Sequence, residues 1–175
     1  MGTLNLGGAT LSASGGNWTD APAGTILQMA SASAGPTRQT ISSTTPVVIT
    51  GLSIDFTPRR SDSKIIITTT IVNNGIHVTS FGIFQDGSAT ASTSGFTNTN
   101  EPNMNITMYR AHTVTSQLYT DTIQTTLDAG STNQRTYDVR GTAAWGGTIY
   151  ALSINDRSND DMASFSHMMI YEVAQ

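Results

Sequence analysis

The chain has 175 residues, 8 Lys+Arg against 12 Asp+Glu for a formal net charge of −4, and no cysteine. Charged residues make up 11% of it, against roughly 25% in an average domain, while 29 Thr and 19 Ser together exceed a quarter of the chain. This balance excludes disulfide and Cys-zinc frameworks and coiled coils rich in Ala, Glu, Lys and Leu. It also leaves no basic face for nucleic acid, since seven Arg and the single Lys64 are scattered.

Residues 1–23 contain the pairs Gly7-Gly8 and Gly15-Gly16, which lose too much backbone entropy for a buried helix or central strand. The segment reads as an extended Gly/Ser/Thr-rich anchoring arm, ordered only against another chain or a neighbouring subunit. Leu4, Leu6, Leu11 and Trp18 are its apolar anchoring contacts. It lacks the basic and apolar regions of a secretory signal. The body, residues 24–175, starts after the turn Pro22-Ala23-Gly24 with the apolar run Thr25 to Ala30, then a Ser/Gly/Pro loop at 31–37. Pro46 to Ile49 and Leu52 to Thr57 follow as strands. In the second, Leu52, Ile54 and Phe56 point one way, and Ser53, Asp55 and Thr57 the other.

The turn Pro58 to Ser63 leads into Lys64 to Val72, β-branched apart from its lysine, which reads as a central strand broken by Asn73-Asn74-Gly75. Val78 to Gln85 is another strand, turned by Asp86-Gly87, a strong hairpin signal. Residues 88–103 lack periodicity and read as an exposed loop. Strands resume at Asn105 to Tyr109, Val114 to Tyr119, Thr120 to Leu127, Arg135 to Ala144, Thr148 to Ile154 and Ser164 to Val173. Eight to ten strands and no helix make an all-β protein, an antiparallel sandwich of one domain with a short appendage. No stretch approaches the ~18 apolar residues of a membrane span, so no membrane partner is expected.

The segment Ile49-Thr50-Gly51-Leu52-Ser53-Ile54-Asp55-Phe56-Thr57-Pro58, continued by Ser61-Asp62-Ser63-Lys64-Ile65-Ile66-Ile67, resembles a phrase common in structural proteins of tailed bacteriophages. A second shared phrase is Thr136-Tyr137-Asp138-Val139-Arg140. A third runs from Asn155-Asp156-Arg157 to Ile170-Tyr171-Glu172-Val173. The resemblance covers roughly residues 24–175 and implies a jelly-roll-like β-sandwich, usually a homotrimer, displayed on a virion assembled in the host cytoplasm. A short tail fibre or tail-associated protein is the first expectation, with other virion proteins and a host surface glycan as partners. A capsid cement or decoration protein that clamps neighbouring capsid subunits is the alternative.

No catalytic residue is expected. Glycoside hydrolysis needs paired carboxylates, one of them with a raised pKa, yet Glu101 and Glu172 are the only glutamates and most aspartates fall in turns. No nucleophile elbow or phosphate loop is present, and no cofactor is implied. His77, His112 and His167 lack paired spacing and read as surface or interface residues, not as metal ligands. His167 shares a face with Phe165 and Met169, opposite Ser166, Met168 and Ile170. Asp156 and Asp160 belong to the densest carboxylate cluster, but Asp161 stands where a calcium loop needs Gly, so the segment reads as an Asx-rich turn. Trp145 and Phe96 are the best candidates for an exposed aromatic platform on a receptor-facing surface. Asp156 and Asp160 complete that candidate surface.

Overall fold

The computed structural model describes residues 2–6, 9–14, 17–18, 21–75, 77–90, 106–110, 118–145, 148–149, 152–154 and 164–175. Among them every regular element is a β-strand. β1 (Gly2–Leu6), β2 (Ala9–Ser14) and β3 (Asn17–Trp18) make a three-stranded antiparallel sheet. Leu6 pairs with Ala9 and Ser14 with Asn17, and the glycine pairs Gly7-Gly8 and Gly15-Gly16 lie outside the described residues. The extended backbone of the N-terminal segment thus pairs with itself, an arrangement that composition alone does not specify.

The body is built from β4 (Ile26–Ala34), β5 (Gln39–Ile41), β6 (Val47–Phe56), β7 (Lys64–Gly75), β8 (His77–Gln85) and β9 (Ser88–Ala89). It continues with β10 (Ile106–Arg110), β11 (Tyr119–Asp128), β12 (Arg135–Thr142), β13 (Ala144–Trp145), β14 (Thr148–Ile149), β15 (Leu152–Ile154) and β16 (Ser166–Val173). β4 pairs with β16 and β5 with β15, while β16 and β15 lie end to end along β7. β4/β5 is therefore one strand position in two pieces, and so is β15/β16. The first sheet then reads β4/β5–β15/β16–β7–β11, and the second β6–β12–β8–β10, with β9 returning on β8. Numbered in chain order, these eight positions fall as 1-8-3-6 and 2-7-4-5, all antiparallel. That is the order of a jelly roll, two Greek keys folded into a double sheet.

Period-two patterning puts one apolar face of each sheet inward. Leu52, Ile54 and Phe56 are buried while Ser53, Asp55 and Thr57 are exposed. Ile65, Ile67 and Ile71 of β7 are fully buried and meet Phe81, Ile83, Tyr137, Val139, Met168 and Ile170 in one cluster. The hairpin signal at Asp86-Gly87 is realised: both have positive φ, 50° and 81°, and Gln85 pairs with Ser88. Two positive φ values are what a two-residue type I′ turn requires.

Three local readings are corrected. The Ser/Gly/Pro stretch does not become a loop until after Ala34, because Ser31-Ala32-Ser33-Ala34 alternates and lays Ala32 and Ala34 opposite Met168 and Ser166. Asn73-Asn74-Gly75 does not end β7, since these residues pair with Ile154, Ser153 and Leu152 of β15. The strands expected at Pro46–Ile49 and Leu52–Thr57 merge into one, β6 (Val47–Phe56), with a register shift at the β12 partners Asp138/Arg140. Gly51 sits inside that irregularity with φ +90°, and a Cβ there would lie 3.0 Å from the Ser33 carbonyl oxygen and 3.1 Å from Ala34 Cα. Glycine therefore lets β6 pass the end of β4 where the two sheets meet.

Candidate functional site

Glu172 follows Met168 and Ile170 on the inward phase of β16 and is fully buried. A carboxylate there needs partners to offset its lost hydration. Its Oε1 accepts from the Arg59 amide at 2.9 Å, the Arg60 amide at 2.9 Å and the Ser63 hydroxyl at 2.7 Å. Its Oε2 accepts from the Arg59 amide at 2.8 Å and from Gln28 Nε2 at 2.7 Å, and Gln28 also donates to the Thr57 carbonyl at 2.7 Å. One acid thus ties the β6–β7 connection to β4 and β16. The first and third of the phage-like phrases meet at this point, so their polar residues hold the corner of the sandwich together. A carboxylate surrounded by so many donors is a poor acid or base for an external substrate.

The second phrase has a similar structural role on the outside of the other sheet. Arg140 donates from Nε to Asp138 Oδ1 at 2.6 Å and from Nη2 to Oδ2 at 3.0 Å, and its guanidinium lies 4.6 Å from the Phe84 ring centroid. The bond to Asp138 holds the Arg140 pKa above the ordinary arginine value. Thr136 donates its hydroxyl to Asp55 at 2.6 Å and its amide to Asp86 at 2.9 Å. Inside the sandwich, Asn73 Nδ2 donates to buried Asp121 at 2.6 Å. At the β6–β7 turn the Arg60 guanidinium, bonded to Asp62, lowers that carboxyl below its usual value. Sequence reasoning did not single out Glu172 or the Asn73–Asp121 pair as organising groups. The available signal was phase: an ionisable or amide side chain at an inward strand position must find a partner.

Two depressions occur on the described surface. One of about 410 Å³ lies between β4, β5 and β6, lined by Ser33, Thr37, Arg38, Gln39 and Thr50. The other, about 340 Å³, lies between β4 and β16 over Ser31, Ser33, His167 and Met169. Arg38 and His167 are their only ionisable lining groups, and neither depression pairs an acid with a base. Among the described residues no group of three or more His, Asp or Glu is gathered to hold a metal ion.

The arm residues are placed by backbone register: Leu4 is opposite Leu11, Leu6 opposite Ala9, and Trp18 opposite Ala13. Trp145 is placed the same way, opposite Thr148. Phe96, Asp156 and Asp160 lie outside the described residues. His167 and Phe165 share the outer face, their ring centroids 6.4 Å apart, while Ser166, Met168 and Ile170 are buried.

The outer faces of the two sheets differ in charge. On the second sheet, exposed Asp55 and half-buried Arg140 lie on the outer side, and Asp138, itself buried, pairs with Arg140. On the first, the outward rows are Met29–Tyr171–Ile66–Thr126, Ser31–Met169–Thr68–Gln124 and Ser33–His167–Thr70–Thr122. Among the described residues, the fixed charges on these strands' outward rows, Lys64 and Asp128, sit at one end and pair with each other, and exposed Arg38 borders β5.

No protein-family model matches the chain, and no curated protein matches it. Among solved structures, the chain is similar to one titled "Structure of infectious bursal disease virus Gt strain", at 12% identity and a TM-score of 0.37 over 85% of this chain and 37% of that one. It is also similar to one titled "Crystal structure of infectious bursal disease virus VP2 subviral particle", at 10% identity and a TM-score of 0.34 over 86% of this chain and 39% of that one. The chain therefore spans less than two-fifths of the length of either.

Proposed function

We propose that this chain is a non-enzymatic structural protein of a bacteriophage virion, a homotrimeric short tail fibre or tail-associated protein exposed on the particle. The observation that carries this reading is the use made of its polar groups. The shared phrases place Glu172, Ser63, Asp55, Thr136, Asp138 and Arg140 in contacts within the chain. They build a rigid shell and leave no acid–base pair in either depression. Jelly rolls host viral shells and lectins among other roles, and fold alone does not choose between them; the phage-like phrases favour the virion. On this reading Leu4, Leu6, Leu11 and Trp18 anchor the N-terminal segment to a neighbouring virion protein, and the loops carrying Phe96, Asp156 and Asp160, with Trp145, face a host glycan. The alternative assignment, a capsid cement protein, shares the same shell and differs in location.

Labelled antibody microscopy on intact virions tests the location. Label on the tail is the expected result, whereas density at capsid three-fold positions with none on the tail defeats the fibre reading. Deleting residues 1–20 tests the anchor: particles lacking the truncated protein are expected, and unchanged incorporation sinks the anchoring role.

A further inference from the structure

We propose that the outer face of the β4–β16–β7–β11 sheet is where copies of this chain meet, three around one axis. The number three rests on the homotrimeric reading above; the choice of face rests on its own chemistry.

Large apolar side chains are exposed at few described places, and three of the five lie on or beside this face: Met29 at 66%, Ile26 at 56% and Phe165 at 49%. Tyr171, Met169 and Ile66 are half-buried next to Met29, and Val72 is half-buried farther along β7, beyond Thr68 and Thr70. The face continues over β11 with Thr120, Thr122, Gln124 and Thr126, all exposed. Hydroxyl and carboxamide groups both donate and accept hydrogen bonds. A surface made of them can therefore pair with another copy of itself, whereas a carboxylate or ammonium meeting its own kind is repelled.

Charge supports the same occupant. Among the described residues, burying these rows desolvates one ion pair, Lys64–Asp128 at their end. The other sheet would bury exposed Asp55 in addition to its own Asp138–Arg140 pair, of which Asp138 is already buried. Size is also adequate. Four strands about 4.8 Å apart, with eight to twelve residues each at about 3.3 Å, cover an area of the same order as the roughly 800 Å² per partner that stable interfaces use.

Sedimentation equilibrium on the full chain tests the face, comparing wild type with Met29→Asp and Thr122→Asp at its two edges and with Ser53→Asp on the opposite sheet. All three positions are exposed, so the variants retain the core. The wild type and S53D are expected to sediment as trimers, and the two face variants as monomers at the same micromolar concentration. A wild-type monomer, or face variants that stay assembled, overturns the proposal. Because the chain has no cysteine, single Thr122→Cys and Ser53→Cys variants give a second reading that needs no disruption. A bifunctional maleimide is expected to join T122C copies and not S53C copies, and the reverse pattern overturns the face. A dimer dissociated by M29D keeps the face and overturns the three-fold number. Absence of the protein from purified virions would count against the virion role and leave this interface untouched.

Discussion

Glu172 shows how one residue decides whether a corner of the sandwich closes. Its carboxylate receives the Arg59 and Arg60 amides, the Ser63 hydroxyl and the Gln28 amide in a fully buried position. Glu172→Ala leaves those donors without an acceptor, at about 1–3 kcal/mol for each one that stays buried and unpaired. A total loss of about 3–5 kcal/mol is expected in urea unfolding, with a smaller loss for Glu172→Gln, which keeps one oxygen. An alanine variant within about 1 kcal/mol of wild type would show that the corner does not depend on the acid. Gly51 and Gly87 separate backbone strain from crowding, since both have positive φ. A Cβ at Gly51 meets backbone at 3.0 Å, whereas at Gly87 the nearest atom is Arg140 Nη2 at 3.9 Å. Gly87→Ala is expected to cost about 1 kcal/mol and Gly51→Ala about 2–3 kcal/mol; equal losses would contradict the crowding at β4. Tyr137 gives a pH effect. Its hydroxyl is buried with no hydrogen-bond partner among the described residues, and burial pushes the phenol above its ordinary value of 10.0, opposed by the nearby Arg135 guanidinium. The unfolded chain then loses this proton at lower pH than the native state. Its stabilising contribution is complete below about pH 10 and is lost as pH rises through the native pKa. Tyr137→Phe is expected to be neutral or slightly stabilising at neutral pH and to flatten the alkaline decline in urea midpoint; an unchanged alkaline slope would refute it.

At the scale of strands, alternation was legible and continuity was not. The phases of Leu52–Phe56 and of Ser164–Val173 follow from polar and apolar spacing, and their burial agrees. The extension of β4 through Ala34 and of β7 through Gly75 depends on partners more than a hundred residues away in β16 and some eighty residues away in β15. Asn73 is a poor strand former by propensity, yet its amide finds Asp121 and its backbone finds β15, and tertiary pairing prevails. β16 is the clearest element-scale test, because it stands between β4 and β7 and carries Glu172. Removing residues 166–175 opens both ladders and frees the corner loop. The truncated chain is expected to lose its cooperative unfolding transition by circular dichroism, and a retained sigmoidal melt would mean that the sheet closes without its last strand.

For the whole molecule, the jelly-roll order pairs the first body strand with the last and interleaves the rest, so most contacts join residues distant in sequence. The sequence by itself determined the class: scarce charge, abundant Thr and Ile, and period-two patterning favour pleated sheets. It also marked the Asp86-Gly87 turn, because a two-residue hairpin is a local event. Only the tertiary structure decided which strands are neighbours, that Glu172 serves the fold, and which charged side chains gather on the outside of each sheet. Each strand's alternation says that one side faces water but not which other strands share that side. The charge of a face is a property of four strands assembled across the chain, and it exists only once non-local pairing has placed them together.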